Sequence, residues 1–238
     1  MRMPTHVILP SATSLAAHVA EWLTAKAEAS TGTFSICLSG GSTPKALYSL
    51  LATQPFASRM PWNRIHLFFG DERFVPYTHA DSNFRMVKEA LLDHVPLSPA
   101  NIHPFPILET PEASASAYAT TLQQFYGHTS LAPEKPLFDV TFLGLGEDGH
   151  TASLFPNTAA LDERTAWATA VIGAKPEPRL TLTYPVLEHS ATIAFLTAGA
   201  SKTEMLTRAM AHDASIPAGR IAPLHNLIWF TDTAATGA

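Results

Sequence analysis

The chain has 238 residues, 46% of them hydrophobic, with 15 Lys and Arg against 20 Asp and Glu for a formal net charge of −5. That length is enough for one large core or two small ones, and with the acidic balance and scattered cations nothing suggests a nucleic-acid surface. A single cysteine, Cys37, excludes an internal disulfide framework, and no apolar run approaches the about 20 residues that span a bilayer.

In chain order, residues 6–10 read as a strand. Its apolar part is too short for a signal-peptide core, so a cytoplasmic protein with no membrane partner is expected. Residues 11–30 carry Leu15, Val19, Trp22 and Leu23 at helical spacing, with Ser11 or Ser14 as a cap. Residues 33–39 form a buried strand in which Cys37 is a small apolar side chain in a reducing compartment. A helix over 43–53, a strand over 63–70 and a helix over 81–95 with Ser82 as N-cap follow. Beyond a proline-containing loop near 95–111, a helix covers 111–127 and stops at Gly127. Residues 137–146 are the clearest buried strand. Further strands are predicted over 166–173, 178–183, 191–199 and 226–232, with a last helix over 201–213. Residues 173–178 are a second proline loop, and the tail 233–238 is expected to fray. Strands apolar on both faces, alternating with helices, predict an α/β fold with a mainly parallel sheet covered on both sides. No linker or repeat interrupts it, so residues 1–238 are expected to form one domain.

In open α/β sheets, ligands collect at the carboxyl ends of the strands. Four exits here are rich in Gly, Ser or charge. In "SGGSTPKALY", Gly40 and Gly41 let backbone approach a ligand, and Ser42 and Thr43 add hydroxyls. Pro44 suits the first helical position, and the helix N-terminus adds free N–H groups for an anion. The loop is not a Walker A motif, and a plain capped turn is the competing reading. Lys45, further into the helix, is expected to face outward. In "GDERFVP", Asp71, Glu72 and Arg73 form either a surface salt-bridge cluster or a carboxylate for sugar hydroxyls beside a cation for an anion. In "AGASK", Lys202 stands at a helix start, where a bound anion would resolve its conflict with the helix dipole. Arg179, opening "RLTLT", adds a second cation; either is otherwise a solvated surface charge.

The fourth exit, "GLGEDGHT", fits G-x-G-x-x-G by pattern, but a dinucleotide turn fails on three counts. Pro156 comes six residues after His150 and leaves no room for the long helix. Glu147 and Asp148 would repel a pyrophosphate, and no acid stands at the required distance downstream. The glycines instead turn the chain so that Asp148 and His150 face one pocket, where a histidine suits acid–base work near neutrality. The 11 histidines include no H-E-x-x-H and no close ligand spacing, so no metal site is expected.

Taken together, "LSGGSTPKALY", "GDERFVP…DSN", "GLGEDGHTASLFP", "PRLTLT" and "AGASK" resemble the 6-phosphogluconolactonases, within the wider group of glucosamine-6-phosphate isomerases and deaminases. The motifs fall in the expected order across residues 38–202. The resemblance implies a Rossmann-like three-layer αβα fold, hydrolysis of 6-phospho-D-glucono-1,5-lactone, and no metal or organic cofactor. It makes a small phosphorylated sugar lactone the partner and leaves the oligomeric state open. His150 would be the general base on water. Gly40, Gly41, Ser42 and Thr43 would hold the phosphate with Arg179 and Lys202 as cations. Asp71 and Asp148 would touch the sugar ring or orient water and His150, and Arg73 would meet the phosphate or the developing carboxylate. The deaminases resemble "DGHIAFNEP" and keep a glutamate where this chain has Phe155; they also tend to "DEY" where this chain has Asp71, Glu72 and Arg73. Both departures favour the lactonase. A sugar-phosphate sensor is the remaining alternative, but its usual helix-turn-helix appendage is not visible in the first 30 residues.

Overall fold

The structure, a computed structural model, describes residues 4–237. The chain opens with β1 (Thr5–Leu9), α1 (Ala12–Ala29), β2 (Phe34–Leu38), α2 (Ser42–Leu51) and the short α3 (Phe56–Arg59). It continues through β3 (Ile65–Phe69), β4 (Asp71–Arg73), α4 (Asn83–Ala90), β5 (Ile102–His103), α5 (Pro111–Tyr126) and β6 (Val140–Leu143). The last part is β7 (Ala168–Val171), β8 (Arg179–Leu182), α6 (Tyr184–Glu188), β9 (Thr192–Thr197), α7 (Thr203–Met210), β10 (Asn226–Asp232) and α8 (Thr233–Thr236).

Seven strands form one sheet in the order β1-β10-β9-β6-β2-β3-β5, and every pairing in it is parallel. Helices flank it in a three-layer α/β arrangement. Every residue of β2, β6 and β9 is buried, as expected where both faces of a parallel sheet are covered. The helix caps follow the sequence closely. Ser11, Ser82 and Thr110 each accept a backbone N–H of the first turn, and Gly127 ends α5 at φ +85°.

The structure corrects the sequence reading in five places. The segments predicted as further strands of the parallel sheet, 166–173 and 178–183, belong to a separate antiparallel sheet of order β4-β8-β7. Asp71–Arg73 is not a loop but the third strand of that sheet. Gly70 is the junction: its N–H bonds the carbonyl of Leu38 in the large sheet, and its carbonyl accepts from Leu182 in the small one, both at 2.9 Å. The proline loop hides β5, a two-residue edge strand too short to show a periodicity. Helices α4 and α7 stop earlier than their apolar pattern, at Ala90 and Met210. The tail does not fray through residue 237: Asp232 caps α8 by accepting the Ala235 N–H at 2.8 Å.

Two buried tyrosines hold the strand ends from which the cleft is built. Past its last sheet residue a strand loses its backbone partners, and buried groups there need others. The Tyr48 hydroxyl takes the N–H of Ser39 at 3.0 Å and donates to its carbonyl at 2.9 Å. The Tyr118 hydroxyl does the same for Phe69, at 2.8 and 3.1 Å.

Candidate active site

Helix α2 starts at Ser42, so Pro44 is its third residue rather than its first. Among the described residues no side chain caps it, and Ser42 and Thr43 of its first turn line, with Gly40 and Gly41, a cleft of about 250 Å³. Lys45 faces outward, as the sequence predicts.

Asp71, Glu72 and Arg73 make no salt-bridge cluster. Asp71 is buried and accepts the Ser153 hydroxyl at 2.6 Å, while the Asn83 amide reaches its carbonyl at 3.0 Å and its carboxylate at 3.3 Å. Glu72 is 1% exposed. Its carboxylate accepts the N–H groups of Arg73, Asn83 and Phe84 at 2.6–2.8 Å and the Ser82 hydroxyl at 3.1 Å. It therefore anchors the start of α4 from below, and burial pushes its carboxyl up against the pull of those N–H groups. Arg73 donates to the Asp81 carbonyl and lines the cleft.

The turn after β6 explains its own glycines. A Cβ at Gly146 would lie 2.0 Å from Nδ1 of His150, so the imidazole occupies that space. Gly149 adopts φ +79° with Ile216 packed against it. The turn closes through Gly146 N–H to the His150 carbonyl at 2.8 Å. Its product is an Asp148–His150 pair: Oδ1 of Asp148 meets Nδ1 of His150 and also takes the His150 N–H at 3.1 Å. Burial works to raise the Asp148 carboxyl, and the bonds from His150 outweigh it and hold it below its ordinary value. A carboxylate on Nδ1 keeps the proton there and leaves the Nε2 lone pair to a ligand. The Phe155 ring backs the imidazole at 4.6 Å between centroids.

Asp71, His150 and Lys202 meet the Gly40–Thr43 rim in the same cleft. Lys202 ends a one-turn helix before α7, with Glu147 at 4.0 Å. Arg179 stands opposite Arg73 in the β4–β8 register and lines a smaller lobe that shares Asp71, Arg73 and His150 with the first. Burial, followed by the Arg73 charge, lowers the pKa of Arg179. Asp148 lines neither lobe but sits behind His150, facing an adjoining groove, so the structure does not bring it to the cleft directly. Sequence reasoning gave no role to Asn83, Ser153 or Lys175, all of which reach the cleft or its carboxylate. Asn83 and Ser153 lie inside quoted motifs; Lys175 has no local signal at all.

Among the described residues, no three His, Cys, Asp or Glu side chains converge as metal ligands, and no helix is long and apolar enough to cross a membrane. The layered parallel sheet with its cleft at the strand exits defines a class first, the glucosamine-6-phosphate deaminase-like α/β fold. A monomeric glucosamine-6-phosphate deaminase superposes with TM-score 0.82 over 98% of this chain and 99% of its own at 17% identity, a likeness of fold alone. The family described as "Glucosamine-6-phosphate isomerases/6-phosphogluconolactonase" matches residues 10–229, and the chain belongs to it. Its particular relatives carry the second of those names. The 6-phosphogluconolactonase of a Nostoc species is 41% identical over 96% of this chain and 95% of its own, and that of a Synechocystis species 45% over 88% and 86%. The crystal structure of 6-phosphogluconolactonase from Thermotoga maritima has TM-score 0.83 at 28% identity, covering 97% of this chain and all of that one.

Proposed function

We propose that the cleft hydrolyses 6-phospho-D-glucono-1,5-lactone to 6-phospho-D-gluconate in the oxidative pentose phosphate pathway, with His150 as general base on water. The observation that carries this is the Asp148–His150 pair, backed by Phe155 where a deaminase keeps its ring-opening glutamate. The α2 N-terminus and Lys202 take the phosphate, assisted by Arg179. Nε2 of His150 removes a proton from water as its oxygen attacks the lactone carbonyl carbon. The tetrahedral intermediate collapses, the bond to the ring oxygen breaks, and His150 returns the proton to that oxygen. The carboxylic acid then ionises to solvent. Phosphate anchoring converts remote binding energy into alignment of the carbonyl. Asp148 orients the imidazole and supports its charged form, while Asp71, fixed by Ser153 and Asn83, faces the sugar ring. Residues 1–238 act as one domain, in the cytoplasm, with no metal or cofactor in the reaction.

The test supplies freshly prepared lactone and, separately, glucosamine 6-phosphate, with spontaneous lactone opening subtracted. Accelerated opening without ammonia release is the expected result. Ammonia release, or no acceleration, would overturn the reading.

A further inference from the structure

The smaller lobe of the cleft, about 150 Å³, is surrounded by Asp71, Arg73, His150, Phe155, Lys175 and Arg179. Lys175 comes from the loop between β7 and β8, at a position outside the motifs. Its ammonium lies 5.1 Å from the centroid of Phe155, the same ring that backs His150. A cation over an aromatic face at a solvent-open site is held weakly, enough to orient the side chain without neutralising it. Among the described residues, no carboxylate lies within 4.0 Å of Lys175. The one carboxylate in the lobe, Asp71, is already engaged by Ser153 and Asn83. Arg73 and Arg179 face each other across the register, and Arg179 reaches Glu177 only at 3.5 Å. Three cations thus line one small lobe against the single carboxylate of Asp71, with Glu177 at its edge, an excess of positive charge that an anion completes.

We propose that Lys175, resting on Phe155, joins Arg179 in an anion subsite beside His150 that takes an oxyanion of the substrate or product. The chemistry is that of a phosphate or a carboxylate oxygen. In the lactonase reading, on which the identity of the ligand rests, the source is the 6-phosphate or the carboxylate formed at the reacting carbon. Lys175 is then a substrate-binding residue brought in by a loop from the small sheet.

The test uses the full chain as wild type, Lys175→Ala, Lys175→Arg and, as a matched control, Lys26→Ala, whose ammonium lies over Trp22 on α1. Binding of 6-phosphogluconate is measured by calorimetry, with inorganic phosphate and gluconate as separate arms. Loss of a charge-assisted contact should weaken 6-phosphogluconate about ten- to hundredfold in K175A. K175R should recover most of that, and K26A should match the wild type. A loss shared with inorganic phosphate assigns the subsite to the phosphate; one shared with gluconate assigns it to the carboxylate. Equal affinities in wild type and K175A, or no binding by the wild type, would overturn the subsite. Binding that depends on Lys175 in a protein that fails to open the lactone would instead overturn the proposed reaction and leave the subsite standing.

Discussion

His150 and Gly146 compete for one volume, and that competition makes the base testable at the scale of single atoms. His150→Ala should lower kcat by about 10²–10⁴, the usual contribution of a general base. Gly146→Ala should do nearly the same without touching a titratable group. The added methyl would fall 2.0 Å from Nδ1 and 2.7 Å from Oδ1 of Asp148, so both side chains must shift from their present positions. Steady-state rates on fresh lactone read both: near-normal kcat in His150→Ala would remove His150 from the chemistry, and near-normal kcat in Gly146→Ala would show that the pair tolerates the methyl. Lys202→Ala should act differently. A cation that binds ground and transition states alike raises KM and leaves kcat near the wild type. At this scale the sequence was informative where residues cluster in a motif: Asp148 and His150 are two residues apart, and the turn brings them together. It was silent on Lys175, because only the pairing of β7 with β8 carries that loop to Phe155.

Among the elements, β2 and β3 deliver the Gly40–Thr43 rim and Asp71, and each is held at its end by one tyrosine hydroxyl. Tyr48→Phe would strand the N–H and carbonyl of buried Ser39; Tyr118→Phe would do so for Phe69. Each should cost about 1–3 kcal/mol in urea denaturation, the penalty for unpaired buried groups. Their kinetic effects should separate. Y48F loosens the strand end that leads into α2 and should raise KM for the phosphorylated substrate. Y118F loosens the residue before Gly70 and Asp71 and should fall mainly on kcat. The reverse split would refute the division of labour assigned to the two strands. Elements of this kind were legible because β2, β3 and β6 are mostly apolar runs that lead into a glycine within two residues. The small sheet was not, since its strands have only three or four residues and their apolar pattern carries no direction. Glu72 was given no role of its own for a related reason: three charged residues in a row left a surface cluster open, and only the folded chain puts the start of α4 over the middle one.

On the scale of the whole molecule, groups far from the cleft add to how stability responds to pH, and two of them act in opposite senses. At the β5 edge, Nε2 of His103 lies 3.1 Å from Nδ1 of His66, and the His103 ring stacks on Phe68 at 4.4 Å. Burial first, and then His66, pushes His103 down to about 4 from an ordinary 6.5. The unfolded chain therefore takes up this proton first, so the contribution of His103 is full above its ordinary value and is lost as pH falls toward its folded one. Glu188, at the end of α6, is the reverse case. Burial pushes it up to about 7, against the Ala222 N–H and the Arg164 charge. Here the folded chain takes up the proton first, so stability is lost as pH rises from the ordinary 4.5 toward 7. Between the two ordinary values the groups oppose each other and flatten the profile. Glu188→Gln should make urea stability climb more steeply with pH across that window than in the wild type. His103→Phe should make it climb less, or fall. Each slope should change by at most one proton. If both variants tilted the profile the same way, one of the two groups would not be buried in the ionisation state that its surroundings favour.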